Sequence, residues 1–320
     1  MLVYPHGFFG TASINPAFSV NAVAGANGQS IVTIPPFEPD LVWSFDRGGG
    51  LNAISTSVRG VGKYFTPPSG AESTDASALT AFNVDGATFG SSFDGLGNDY
   101  VHYSFREAPE YGIDVVTYTG AASAQNIAHS LGVTPEFIMT RNLVTAGSAN
   151  CYHIGFDFDL SNPELYYLPI SNTTDEALTS SAAWDNTLPD SSNFRVGTGN
   201  LTNKSGELHV ALLLASKVGY TKIGRYVGSG VTLTTIVDCG FRPRFVLIRA
   251  ANVTSAGWYV YDSVRDLVNP RDNAILPSGT SAETGPTGGG INLISNGFQL
   301  IESASILNES GKSYAFIAIA

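Results

Sequence analysis

Five histidines, His6, His102, His129, His153 and His209, are the first residues to test for catalysis or metal binding. Imidazole is the side chain whose ordinary pKa lies nearest neutrality, but it needs a partner group to act as base or ligand. These five are solitary and scattered, which predicts packing or surface positions. No His-Glu-x-x-His, Gly-x-Ser-x-Gly or Walker pattern occurs. The glycine runs at 48–50 and 288–290 read as loop tips, because no helix start follows to cradle a phosphate. Asp157 and Asp159 are the best metal candidates, since alternate residues on an extended segment can share a hard cation. The glycine and distal glutamate of a calcium loop are missing there, so solvated loop carboxylates are the plainer reading. Asp46, Glu72, Asp85, Asp94 and Asp99 would serve glycoside hydrolysis only if two stood about 5–9 Å apart across a groove. Cys151 and Cys239 lie far apart without a CxxC pattern. They are expected as unpaired, buried thiols. No cofactor, no metal and no enzymatic activity are therefore expected. Among aromatics, Tyr152, Trp184 and Tyr259 could stack on the sugar rings of a surface receptor, whereas Trp43 and Trp258 are expected in the core.

The elements that position these groups are strands. Charged residues make up only 13% of the chain, and Gly, Ser, Thr and Asn fill their place. Turn-rich β architecture follows, because exposed helix faces carry Glu and Lys. The apolar share, 43%, suffices for real cores, and 320 residues suit two or three domains. A net charge of −11 without any Lys/Arg cluster argues against nucleic acid as a partner. The longest apolar runs, 210–215 and 314–320, are strand-length, far short of the roughly 20 residues of a membrane helix. No basic region followed by an apolar stretch opens the sequence, so no signal peptide is expected and assembly is placed in a reducing cytoplasm.

Internal repeats organise the chain. Pro39-Asp40-Leu41-Val42-Trp43, Pro135-Glu136-Phe137-Ile138-Met139 and Pro243-Arg244-Phe245-Val246-Leu247 share a proline, a variable residue and an apolar triplet. Each reads as a buried strand opened by a residue that cannot donate to a ladder. Tyr118-Thr119-Gly120 and Tyr226-Val227-Gly228 both lie seventeen residues before their proline; the same count from Pro39 reaches Ala22, ahead of Gly25. Downstream, an acidic turn recurs around Glu72, Glu176 and Glu283, and Asn203-Lys204-Ser205-Gly206 is matched by Asn308-Glu309-Ser310-Gly311. The spacing predicts an all-β protein of three tandem antiparallel β-sandwich-like modules at 20–113, 114–222 and 223–320, with residues 1–19 as an N-terminal arm. Tyr4, Phe8 and Phe9 give that arm apolar groups for docking onto a partner.

The ordered motifs Asp40–Trp43, Ser57-Val58-Arg59-Gly60, Ala71-Glu72 and Ala81–Gly86, with Tyr261-Asp262-Ser263-Val264-Arg265 in the third copy, resemble repeat-containing tail-fibre-like proteins of marine and other bacteriophages. The second copy departs from the pattern, with Gly155-Phe156-Asp157 in its place, and Asp266 stands where the family has glycine. The resemblance runs from Gln29 to the end. It implies a virion structural protein, a tail fibre or receptor-binding protein for host attachment, assembled with other virion proteins as a homotrimer. The host partner would be a surface glycan or protein receptor. A capsid decoration, head-fibre or other tail-associated protein is the alternative, and a glycan depolymerase a third reading. The resemblance carries over no binding residue.

Overall fold

The three proline-led triplets open the strands Leu41–Asp46, Phe137–Asn142 and Phe245–Ala250, and every residue of all three is buried. A strand covered on both faces has no reason to alternate apolar with polar, which accounts for the unbroken runs. The computed structural model describes residues 14–156, 161–171, 177–253, 257–285, 289–302 and 305–320.

Each proline-led strand has the same neighbours in the same order. One edge pairs with a closing strand: Asp99–Phe105, Leu208–Leu214 or Ser313–Ile319. The closing strand in turn pairs with an opening strand: Phe18–Ala24, Ile113–Thr119 or Thr221–Val227. The other edge meets a return strand: Asn52–Thr56, Asn150–His153 or Trp258–Asp262. All pairs are antiparallel, and the registers coincide. Phe105 faces both Phe18 and Leu41, Leu214 faces Ile113 and Phe137, and Ile319 faces Thr221 and Phe245. A smaller sheet built on Ser30–Val32, Gln125–Ala128 or Ile236–Asp238 covers each large one. The fold is all-β, and each repeat is an antiparallel sandwich.

Period-two geometry assigns the two faces of the proline-led strands. Val42, Ile138, and Val246 with Ile248, turn toward the small sheet of their own repeat and pack on Phe89, Phe194 and Phe298 respectively. Leu41, Trp43 and Phe45, Phe137 and Met139, and Phe245 and Leu247 turn the other way, into one cluster common to all three repeats. Trp43, Met139 and Leu247 each stand four residues after their proline and line the same small central void. Truncating any of them to alanine would cost about 2–5 kcal/mol, the usual range for large-to-small core changes. Two residues further along, Phe45 is matched by Arg141 and Arg249, both buried. The Arg141 guanidinium lies over the Phe65 ring, 5.9 Å from its centroid, and burial lowers its pKa to about 10.

The repeats close into a ring. The Glu72 N–H donates to Leu143 O, the Ala177 N–H to Ala251 O and the Glu283 N–H to Arg47 O, at 3.0, 3.0 and 2.9 Å. Leu143, Ala251 and Arg47 each stand eight residues after their proline, so one bond is made three times: first repeat to second, second to third, third to first. The sequence boundaries shift accordingly. Ile113 already pairs with Leu214 and Thr221 with Ile319, so each opening strand begins one or two residues ahead of the expected module edge. The arm is shorter than expected as well. Phe18 is fully buried, 5.0 Å from the Phe105 ring and 5.3 Å from that of Phe245. The Asn15 N–H donates to Ala320 O at 3.1 Å. Residues 14–19 therefore belong to the body. Tyr4, Phe8 and Phe9 lie outside the described residues.

Candidate functional site

The recurring polar residues turn out to hold loops. Asp94 accepts hydrogen bonds from the backbone N–H groups of Ala26, Gly28 and Gln29 at 3.1, 2.9 and 2.9 Å, and from Gln29 Nε2 at 2.5 Å. Burial raises its pKa, but these donors overcome that and leave it below the ordinary carboxylate value. Asn203 holds Ala121 N and Gln125 Nε2 in the second repeat, and Asn308 holds Ser229 N and Thr235 Oγ1 in the third. The glycine of the repeated motif serves this clamp. A Cβ on Gly25, Gly120 or Gly228 would stand 2.1, 2.1 or 2.3 Å from a carbonyl oxygen of the clamping loop. Strand pairing also corrects the expected match of Ala22 to Tyr118. Val23, opposite Tyr100, is the true counterpart of Tyr118 opposite His209 and Tyr226 opposite Tyr314.

The acidic turn and the Ser-Val-Arg motif form one device. The Arg59 guanidinium grips Glu72 with Nε–Oε2 at 2.6 Å and Nη2–Oε1 at 2.7 Å. In the third repeat Arg265 reaches Glu283 Oε2 at 3.3 Å, and Arg47 of the first repeat approaches the same oxygen to 2.6 Å. Each glutamate is thus fixed where its own N–H makes the ring-closing bond. Glu176, the expected third member, and the metal candidates Asp157 and Asp159 lie outside the described residues. Among the described residues no group of three or more His, Cys, Asp or Glu could hold a metal ion.

Two of the histidines are also spent in packing, while His6 lies outside the described residues. His102 is buried, stacks on Phe89 at 3.9 Å and pairs Nδ1 with Ser44 Oγ at 2.9 Å. Burial lowers its pKa to about 3. His153 accepts from Gly155 N–H at Nδ1 and donates from Nε2 to Phe316 O of the third repeat at 3.0 Å. Both bonds fit a neutral ring, and burial lowers its pKa to about 4. Cys151 and Cys239 are buried and free.

The aromatic residues expected to meet a receptor fare differently. Trp184 is 2% exposed, packed with Ala183, Ile127 and Phe194, so no ring face is open to a sugar. Tyr152 is equally buried, edge-on to Trp184 at 6.1 Å. Core packing claimed both: Tyr152 lies on the return strand Asn150–His153 and Trp184 ends the short helix Ser181–Trp184, and both enter the second repeat's own apolar cluster. Tyr259 is half-buried against the third repeat's private core. Trp43 and Trp258 are core residues, 3% and 1% exposed.

One concave site that the sequence did not flag lies in the second repeat. A groove of about 510 Å³ opens in the second repeat, with Val133, Pro135, Tyr152 and Leu188 among its walls and Glu136 and Ser216 on its rim. That volume falls within the range of ligand pockets. Glu136 Oε2 accepts the Ser216 N–H at 2.6 Å, as Asp40 accepts the Glu107 N–H at 2.8 Å in the first repeat. The only visible signal is two residues before each proline. Phe37 and Phe241 stand there in the first and third repeats and are 3% and 5% exposed, while Val133 in the second is 38% exposed.

Fold and site together define a closed all-β body of three internal repeats with a mostly apolar groove in the middle one. The chain belongs to the family described as a domain of unknown function, DUF7483, which matches residues 16–320. The match starts beside Phe18 and takes in all three repeats as one domain. No curated protein matches the chain.

Proposed function

We propose that the chain is a non-enzymatic structural protein of a bacteriophage particle, acting as a tail-fibre or receptor-binding component in host attachment. The observation that supports this reading best is the use made of the recurring acidic and basic motifs. Arg47 with Glu283 ties the first repeat to the third, and Arg59 with Glu72 and Arg265 with Glu283 hold the glutamates whose own N–H groups bond the neighbouring repeat, which is scaffold chemistry. The ordered motifs themselves, by their resemblance to tail-fibre-like proteins, supply the particle. A rigid ring of repeats projecting loops would attach to a surface glycan or protein of the host. Several copies on one particle, as in a homotrimer, would add avidity without new contacts. Labelling the protein on intact particles in electron micrographs tests the placement, and competition of purified protein with particle adsorption tests attachment. Label confined to the tail and blocked adsorption are expected. Release of reducing sugar from host polysaccharide would overturn the non-enzymatic part.

A second particle reading, capsid decoration, is favoured by one feature. Asn15 and Ala320 meet at the same edge of the body, so the described residues form no extended shaft. Label over the head would select it.

A further inference from the structure

We propose that a groove running past Ser216 binds an extended polypeptide segment of a partner protein, one that seats a basic side chain against Glu136 and an acidic side chain at Lys217 and Lys222. Ser216 lines two hollows at once. The first is the groove of about 510 Å³ in the second repeat. The second, of about 430 Å³, lies at the junction with the third repeat, with Lys217, Val218, Lys222 and residues 238–240 among its walls. Each alone would suit a small molecule, but joined they make a course longer than one.

The two hollows differ in charge. Glu136 is the charged wall residue of the first, and Glu164 follows its wall residue Pro163. Glu164 Oε2 is buried without a hydrogen-bond partner. Burial, and then the negative charges of Glu164 and Glu136, raise the pKa of the Tyr152 hydroxyl, so both carboxylates act on one point of the wall. Neither glutamate enters an ion pair among the described residues, and neither do Lys217 and Lys222 in the second hollow. Asp238, the carboxylate on that second wall, is already taken: its Oδ1 accepts the Gly240 N–H at 2.8 Å and Asn296 Nδ2 at 2.7 Å. A ligand that complements both hollows therefore carries a cation at one end and an anion at the other. Apolar groups are exposed along the course: Val133 and Leu188 in the first hollow and the fully exposed Val218 in the second. Such residues mark contact surfaces when they gather in one place. The repeats serve as internal controls, since the buried Phe37 and Phe241 stand where Val133 leaves the space open. Pro135 and Pro189 stiffen the wall, so little ordering is needed before binding. A sugar fits less well, because Tyr152 is 2% exposed and offers no ring face. A second copy of the chain also fits less well, because a net charge of −11 repels its like.

A displayed library of random dodecapeptides, panned on the full chain, is the probe. Enriched sequences are expected to carry Lys or Arg and, several positions away, Asp or Glu, with apolar residues between. One such peptide, synthesised with a fluorescent label, is titrated by polarisation against the native chain and three variants. Glu136→Gln keeps an acceptor for the Ser216 N–H and removes the charge, Lys222→Glu reverses the charge of the other hollow, and Leu188→Asp charges an exposed wall. Each should weaken binding about tenfold or more with unchanged circular dichroism, and added salt should weaken the native complex. Leu188 is 53% exposed, so its variant keeps the test decisive if another misfolds. Equal affinity for the native and Leu188→Asp chains, or the absence of any enriched sequence, would overturn the proposal. Binding of a bacterial surface polysaccharide that Leu188→Asp abolishes, with no peptide enriched, would overturn it in favour of a sugar site.

Discussion

Tyr103 of the first repeat donates its hydroxyl to Asp262 Oδ2 of the third at 2.8 Å, and neither side chain reaches solvent. The same oxygen receives Arg265 Nε at 2.6 Å, and Asp262 Oδ1 takes the N–H groups of Val264 and Arg265. Burial raises the Asp262 pKa, but the Arg265 charge and these donors prevail and hold it below the ordinary carboxylate value. Removing Arg265 strands a buried charge, so Arg265→Ala should lose about 3–5 kcal/mol. Arg59→Ala, at the same motif position but on a partly exposed pair, should lose no more than about 1 kcal/mol. Urea denaturation of the two variants measures the contrast, and equal losses would contradict the burial argument.

Stability should fall as the medium is acidified below neutrality. His102 and His153 are held neutral in the folded chain, with pKa values of about 3 and about 4. Unfolded, each ring protonates near pH 6.5. Above that the two states bind the same number of protons; below it the unfolded chain gains protons that the folded chain refuses. Each ring then costs about 1.4 kcal/mol per pH unit until its folded pKa is reached. His153→Gln, which keeps a donor for Phe316 O, should flatten the stability–pH slope between pH 6 and 4 by about one such increment. Denaturant midpoints across that range supply the measurement.

Thiol reagents should find nothing in the native chain. Both cysteines are buried, and burial raises the Cys239 pKa to about 12 and that of Cys151 further still. Titration of denatured, non-reduced protein should count two thiols and titration of native protein none. Rapid native labelling would show that the repeats open.

Two N-terminal deletions should separate arm from body. Loss of residues 1–13 should leave circular dichroism and thermal midpoint nearly unchanged. Loss of residues 1–19 also removes Phe18, whose core packing is worth about 3–5 kcal/mol, and the Asn15 anchor. A body that stays equally stable without residues 14–19 would refute their placement in the fold.

What the sequence made legible was local. A proline before an apolar triplet, a glycine after an aromatic, and an asparagine before a turn each report a backbone need that neighbours cannot disguise. Leu41-Val42-Trp43 announces a strand buried on both faces, but not that Val42 faces its own repeat while Leu41 and Trp43 face the other two. That choice depends on sheets more than 90 residues apart. Trp184 and Tyr152 looked available because loop spacing does not reveal a covering sheet. Counting back from Pro39 reached Ala22 where Val23 belongs, since one residue fewer separates those strands in the first copy. Val133 carried the clearest overlooked signal, visible only once Phe37 and Phe241 are aligned with it.

A core held in common makes folding a problem of closure. Tyr103 and Asp262 are separated by 159 positions, Arg47 and Glu283 by 236, and neither pair can form until the last repeat exists. Until then the first two repeats expose the Leu41-Trp43-Phe45 and Phe137-Met139 stripes, a wet apolar surface on nascent sheets and an invitation to aggregate. Non-local pairing of this kind slows folding. The finished ring should therefore unfold cooperatively, and fragments ending before Ser313 should be captured by chaperones rather than accumulate as stable intermediates.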